Sequence, residues 1–125
     1  MEREPFVDAA AKLFALADVG RIEGMLCAAT VTTVHHIAAR GLGQRRARAL
    51  VADLLDVFGV APVDGEVLTS AIGLDFSDFE DAVLHEAARS VGADIVTRDR
   101  SGFVKADLAV YDPRELVAAV IASQE

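Results

Sequence analysis

Apolar and polar residues alternate with the period of an α-helix in six segments of the chain. In the first, the apolar positions recur at 3.6-residue spacing, which predicts an amphipathic helix over residues 5–19 that ends at Gly20. The same pattern predicts helices at residues 30–39, 44–58, 64–74, 77–91 and 113–123. Their expected caps are Thr30, Asp64, Ser77 and Asp112, and Gly41 and Gly92 are the expected stops.

Short apolar runs lie between the helices and predict buried strands. They are Met25-Leu26-Cys27, Val60-Ala61, residues 94–97 and residues 108–111. Short strands that alternate with helices are typical of an α/β domain, so we expect a small parallel sheet flanked by helices. The chain has 125 residues, which is enough for one domain with a core, and residues 1–125 are predicted to form that domain.

Acidic residues are found at the ends of two predicted elements. Asp78 and Asp81 fall within roughly an 80° stripe of the helix that follows Ser77, together with His85 and Arg89. Asp99 follows the strand at residues 94–97, and ligands usually bind at the carboxyl ends of parallel strands. Three carboxylates without paired cysteine or histidine favour Mg²⁺ or Mn²⁺, and such an ion orients phosphate and activates water, as in nucleases.

The same acids also have a purely structural interpretation. Ser77 and Glu80 have the spacing of a capping box, which would occupy Glu80. Acids in a first helical turn complement the helix dipole, and Asp99 before Arg100-Ser101-Gly102 is compatible with an ordinary turn. The sequence alone leaves a metal site and a cap-and-turn arrangement open. His85 and Arg89 are expected to pair with Asp81 and Asp78 rather than with phosphate.

Composition and charge narrow the class of protein. The net charge of −8 argues against broad nucleic-acid binding through bulk positive charge. One local basic strip exists, formed by Arg40, Arg45, Arg46 and Arg48, and a solvated helix face explains it equally well. The single cysteine, Cys27, is expected to be a small buried residue. No signal peptide or membrane span is expected, which makes a cytoplasmic protein the default.

Three segments together resemble the PIN-domain family, in the branch near the toxin ribonucleases of toxin–antitoxin pairs. They are the Asp-Phe-Glu-Asp-Ala run that begins at Asp78, the Ala-Asp-Ile-Val-Thr-Arg-Asp run that ends at Asp99, and the terminal helix that begins at Tyr111-Asp112-Pro113. The segment Leu26–Thr33 is similar to the second strand and following helix of the family.

The resemblance implies a parallel sheet flanked by helices and an acidic cluster that binds Mg²⁺ or Mn²⁺ for the cleavage of RNA. It implies Asp81 and Asp99 as catalytic and metal-binding residues and Asp78 as an accessory metal ligand. Thr33 and Arg98 are the candidate substrate contacts, and RNA and an antitoxin-like protein are the candidate partners.

Two departures from the family pattern weaken the expected activity. The family usually begins with a central strand that carries an aspartate, and this chain begins after it. A further family acid falls on or near Thr33. We therefore expect weak or no Mg²⁺-dependent ribonuclease activity from the chain as given. Loss of a central strand exposes two strand edges, so we also expect a homo-oligomer, which a stable monomer in light scattering would contradict.

Three functions stay open from the sequence. The chain is a PIN-type ribonuclease, a catalytically inactive PIN-like binding or protein-interaction module, or a helical interaction module without a role in nucleic-acid chemistry. Translation of the DNA upstream of Met1 separates the first two. An in-frame apolar run followed by Asp-Thr-Asn would support an active enzyme.

Overall fold

The computed structural model describes residues 3–123, apart from the side chains of residues 3–8 and 10. Its helices are α1 (Arg3–Asp18), α2 (Ala28–Leu42), α3 (Gln44–Val57), α4 (Gly65–Ile72), α5 (Phe79–Ser90) and α6 (Pro113–Ser123). Its strands are β1 (Met25–Cys27), β2 (Gly59–Ala61), β3 (Ile95–Val96) and β4 (Val110–Tyr111). Every predicted helix and strand is present, with ends that shift by a few residues.

The strands form two separate parallel pairs. β1 pairs with β2, with Leu26 opposite Val60, and β3 pairs with β4, with Ile95 opposite Val110. Parallel strands need crossover connections: α2 and α3 connect β1 to β2, whereas a loop with the 3₁₀ helix Arg100–Phe103 connects β3 to β4. The predicted α/β class with small parallel sheets is confirmed, and the sheet is split into two halves.

Helix α5 connects the two halves of the core. Its residues Ala82, Val83 and Ala87 pack in one buried cluster with Cys27 of β1 and Ala61 of β2. On the next turn, Ala88 packs in a second cluster with Ile95 of β3 and with Phe103. Most of these buried side chains are small, and small side chains let helix and strands approach closely. The part of α5 from Ala82 to Ala88 therefore lies at the junction of both halves.

An apolar cleft of about 750 Å³ extends along the two strand pairs. Side chains of α1, including Leu13 and Phe14, form part of its wall, together with Phe58, whose ring meets that of Phe14 edge to face at 5.8 Å. Leu84 and Ala88 of α5 also line it. None of the helices in residues 3–123 combines the length and apolar character that a membrane span requires.

The ends predicted for α2 were wrong. The helix begins at Ala28, with Cys27 as its N-cap, so Thr30 lies inside it rather than capping it. It continues through Gly41 to Leu42, and Gly43 ends it with a positive φ of 88°. A glycine marks a helix end only where the backbone needs its conformational freedom, and here that position is Gly43.

Gly41→Ala is expected to stabilise the protein by about 0.5–1 kcal/mol, because alanine has the higher helix propensity and no atom lies within 4 Å of an added β-carbon. Gly43→Ala is the matched control, and we expect it to destabilise by roughly 1–3 kcal/mol because of its positive φ. Urea unfolding curves of both variants test the pair. Destabilisation by Gly41→Ala would contradict the continuous α2 helix.

Candidate functional site

Asp78, not Ser77, is the N-cap of α5. Its carboxylate Oδ1 accepts a hydrogen bond from the backbone N–H of Glu80 at 2.9 Å. The predicted Ser77–Glu80 capping box was wrong because the helix begins one residue later, at Phe79. The Asp78 side chain is exposed, and it is committed to the local cap.

Glu80 is free of the cap and faces α2. Its Oε1 accepts a hydrogen bond from the Thr33 hydroxyl at 3.4 Å, and the same hydroxyl lies 3.4 Å from the carbonyl oxygen of Ala29. This contact joins the middle of α2 to the first turn of α5. Sequence reasoning missed Glu80 because the capping box explained it; its position in an acidic helix start, beside Asp81, was the available signal.

Asp81 is the half-buried acid at the centre of this region. Its carboxylate packs against Gly102, where an added β-carbon would collide with Oδ2. Burial, followed by repulsion from the charges of Asp78, Asp99 and Glu80, raises the pKa of Asp81 above its usual 3.8. The charges of Asp78, Glu80 and Asp99 therefore all act on the carboxylate of Asp81.

Asp99 occupies the turn after β3. Its Oδ1 accepts hydrogen bonds from the backbone N–H of Ser101, at 3.1 Å, and from the Ser101 hydroxyl. The Asp99 N–H in turn donates to the Thr97 hydroxyl at 3.1 Å. Asp99 thus caps the short 3₁₀ helix Arg100–Phe103, as the cap-and-turn interpretation expected. Arg98 is exposed in the same turn.

His85 and Arg89 do not pair with Asp78 or Asp81 as expected. The His85 ring is fully buried, and its Nδ1 lies 2.7 Å from Glu86 Oε2. Arg89 bridges Glu86 to Asp107, with its Nε 3.2 Å from Glu86 Oε2. The expected pairing within one helix is replaced by a network that ties the second half of α5 to the loop before β4.

A family model for the PIN domain matches residues 1–101, a range that contains Asp78, Glu80, Asp81 and Asp99. The chain belongs to the PIN-domain family. PIN domains are a nuclease-type fold and generally depend on a divalent metal. No curated protein matches the chain.

The residues present do not fit a complete divalent site in this PIN domain. Within residues 3–123, no group of three or more His, Cys, Asp or Glu side chains is arranged to hold a metal ion. Asp78 and Asp99 use carboxylate oxygens to cap the backbone at their own positions. Of these three acids, only Asp81 accepts no capping hydrogen bond from the backbone in the described part of the chain. A single carboxylate binds a hard cation weakly.

Asp81→Asn is expected to stabilise the PIN domain at pH 7. Because the folded-state pKa of Asp81 is raised, ionisation weakens the fold as pH rises from the usual 3.8 to the raised value, and the penalty persists above that value. Asparagine removes the charge, so the gain in unfolding free energy should be present at pH 7 and should vanish near pH 3. Unfolding curves over this pH range measure it.

Asp112→Asn is the matched control with the opposite sign. The backbone N–H of Glu115 holds the pKa of Asp112 below its usual value, so its charge stabilises the fold at pH 7 and loses that effect as the pH falls through the lowered value. If Asp81→Asn instead destabilises the domain at pH 7, the negative charge of Asp81 is stabilised by its surroundings. That result would contradict the burial and the repulsion that raise the pKa of Asp81.

Proposed function

We propose that this PIN domain is a ribonuclease-type protein, a homologue of the toxins of toxin–antitoxin pairs, whose acidic site is only partly assembled. The observation that supports this is the raised pKa of Asp81, which is caused first by burial and then by repulsion from the charges of Asp78, Asp99 and Glu80. Perturbed carboxylates at the junction of several elements are typical of functional sites. Mg²⁺ or Mn²⁺ is the cofactor proposed for Asp81, Asp99 and Asp78, and Thr33 and Arg98 are proposed to contact the substrate.

A basic strip next to this region supports RNA as the substrate class. Arg40, Arg45, Arg46 and Arg48 are all exposed and lie where α2 meets α3. The rise of an α-helix places Arg40 about 10 Å along α2 from Thr33, which contacts Glu80. The acidic residues around Asp81 repel the phosphates of a bound RNA strand. Arginines about 10 Å away are therefore suited to bind those phosphates.

The chain as given is expected to show weak or no Mg²⁺-dependent cleavage of RNA. A fluorogenic single-stranded RNA incubated with micromolar protein, with Mg²⁺, Mn²⁺ or EDTA, measures the activity. The reason is the incomplete ligand set: removal of carboxylates lowers metal affinity and the precision of its geometry. Robust cleavage that both EDTA and Asp81→Asn abolish would contradict the incomplete site.

The alternative function is a binding module without catalysis. The backbone caps made by Asp78 and Asp99 favour it, because those carboxylates serve the fold. Charge reversal at Arg45 and Arg46 should weaken RNA binding in a gel-shift assay, and charge reversal at Glu66, an exposed acid of α4, is the control. Binding of RNA without cleavage, lost in the arginine variants, would support this alternative. An antitoxin-like protein remains a proposed partner.

A further inference from the structure

The apolar cleft extends along the edges of two strands. It is lined by all three residues of β1 and by Asp94, Ile95 and Val96 of the β3 segment. Successive side chains of a strand point to opposite faces, so a cavity against one face touches every second residue. A cavity that touches consecutive residues of both strands lies along their edges, between the two halves of the split sheet.

The hydrogen bonds of the strands show which backbone groups face this cleft. Ile95 and Thr97 donate their N–H groups to β4-side carbonyls, those of Ala109 (3.0 Å) and Tyr111 (2.9 Å). Alternation along a strand then directs the N–H and C=O of Val96 to the opposite edge, towards the cleft. On β1, Gly24 accepts from Gly59 at 3.0 Å, so the backbone groups of Met25 point away from β2 in the same manner.

The size and charge of the cleft fit a short peptide strand. A strand advances about 3.3 Å per residue and lies about 4.8 Å from its neighbours in a sheet, so a cleft of about 750 Å³ has room for a short extended segment. The charged residues of the lining are Glu23 and Asp94, which are both acidic and both lie just before a strand. An apolar peptide with a basic flank complements such a cleft.

We infer that this cleft accepts an extended apolar segment of another protein, which pairs with β1 on one side and β3 on the other and makes one continuous sheet. Such strand addition obtains affinity from main-chain hydrogen bonds and specificity from side-chain pockets. A second copy of this chain is the poorer donor, because all four described strands already pair within the chain. The inference is independent of nuclease activity.

A fluorescein-labelled peptide with the sequence Lys-Arg-Val-Ile-Val-Ile-Val-Gly-Lys tests this inference with the wild-type protein. We expect saturable binding in fluorescence polarisation and, on binding, slower hydrogen exchange of the Met25 and Val96 amides. Two further peptides carry N-methyl groups at the odd or at the even apolar positions. An N-methyl group removes a backbone N–H donor, and alternate residues of a strand direct their N–H groups to opposite edges. A peptide that pairs along both edges should therefore lose affinity with either methylation pattern, by about fivefold or more.

Two protein variants locate the site. Val96→Pro removes the N–H that faces the cleft and spares the bonds of Ile95 and Thr97 to β4, so it should weaken binding about fivefold. Asp94→Lys should also weaken binding of the basic peptide. Asp53→Lys changes the net charge equally on an exposed helical position outside the cleft, and it should leave binding unchanged.

Three results would overturn the inference. Binding that is insensitive to both N-methyl patterns would mean an apolar pocket without strand pairing, and loss with only one pattern would mean pairing on one edge. A dimer in light scattering, with Met25 and Val96 amides already protected before peptide is added, would identify a second copy as the occupant. The N-methyl peptides need no variant, so they decide the matter even if Val96→Pro does not fold.

Discussion

His85→Ala is expected to lower the free energy of unfolding by about 2–4 kcal/mol. The imidazole ring is only 1% exposed and packs edge to face against Phe76 at a centroid distance of 5.2 Å. The backbone N–H of Asp107 donates to its Nε2 at 3.3 Å, which leaves Nδ1 to donate to Glu86 at 2.7 Å. Alanine removes the packing and both hydrogen bonds at once, and it leaves a carboxylate in a largely buried position.

His36→Ala is the control for this prediction. His36 lies on α2 with its side chain exposed, so the same substitution should change the unfolding free energy by less than about 0.5 kcal/mol. Urea or thermal unfolding of both variants measures the difference. If the two variants are equally stable, His85 does not hold the loop before β4 against α5, and the network described around Glu86 is not formed in solution.

His85 also shows where sequence reasoning about the site ends. The 3.6-residue period predicted one stripe of α5 that carries His85 and Arg89 together with Asp78 and Asp81, but α5 begins at Phe79 and Asp78 is its N-cap. The helical period does not indicate which other part of the chain packs against His85 and Arg89. Asp107 comes from a loop 22 residues after His85, and it takes both side chains away from the first turn. Angular position within a helix is local information, whereas partner choice depends on tertiary packing.

The helix ends follow the same division between local and long-range information. Asp64 and Asp112 cap α4 and α6 as predicted, because each needs only neighbouring backbone groups. Ser77 and Thr30 were equally good caps by residue type. The structure instead begins α5 at Phe79 and α2 at Ala28, directly after β1. A strand that leads straight into a helix leaves no room for the predicted cap at Thr30.

Strand positions were predictable, but the separation of the sheet into two pairs was not visible in any one segment. Each apolar run predicts a strand from its own residues, and the runs at β1 to β4 all do so correctly. Pairing joins residues that are far apart in sequence, such as Leu26 with Val60. The expectation of exposed strand edges came from the family resemblance, and the cleft between β1 and β3 is where the described structure places such edges.

Ile95→Ala is expected to cost about 2–4 kcal/mol of unfolding free energy, although β3 has only two residues. Ile95 is 2% exposed and is one of the two largest fully buried side chains in the described part of the chain. It packs with Ala88 and Phe103 in a buried cluster, so its truncation to alanine leaves a cavity between helix α5 and the Phe103 ring. Val96, its neighbour on the opposite face, is 41% exposed.

The comparison of Ile95→Ala with Val96→Ala separates the buried face of β3 from its exposed face. Val96→Ala should cost less than about 1 kcal/mol, because its side chain is only partly removed from water. Chemical denaturation of both variants gives the two values. Equal and small losses would mean that β3 is not anchored in the core, and an unanchored edge strand could not act as a template for an added strand. A large loss at Ile95 alone means that the face of β3 is fixed by packing while its edge stays available to the cleft.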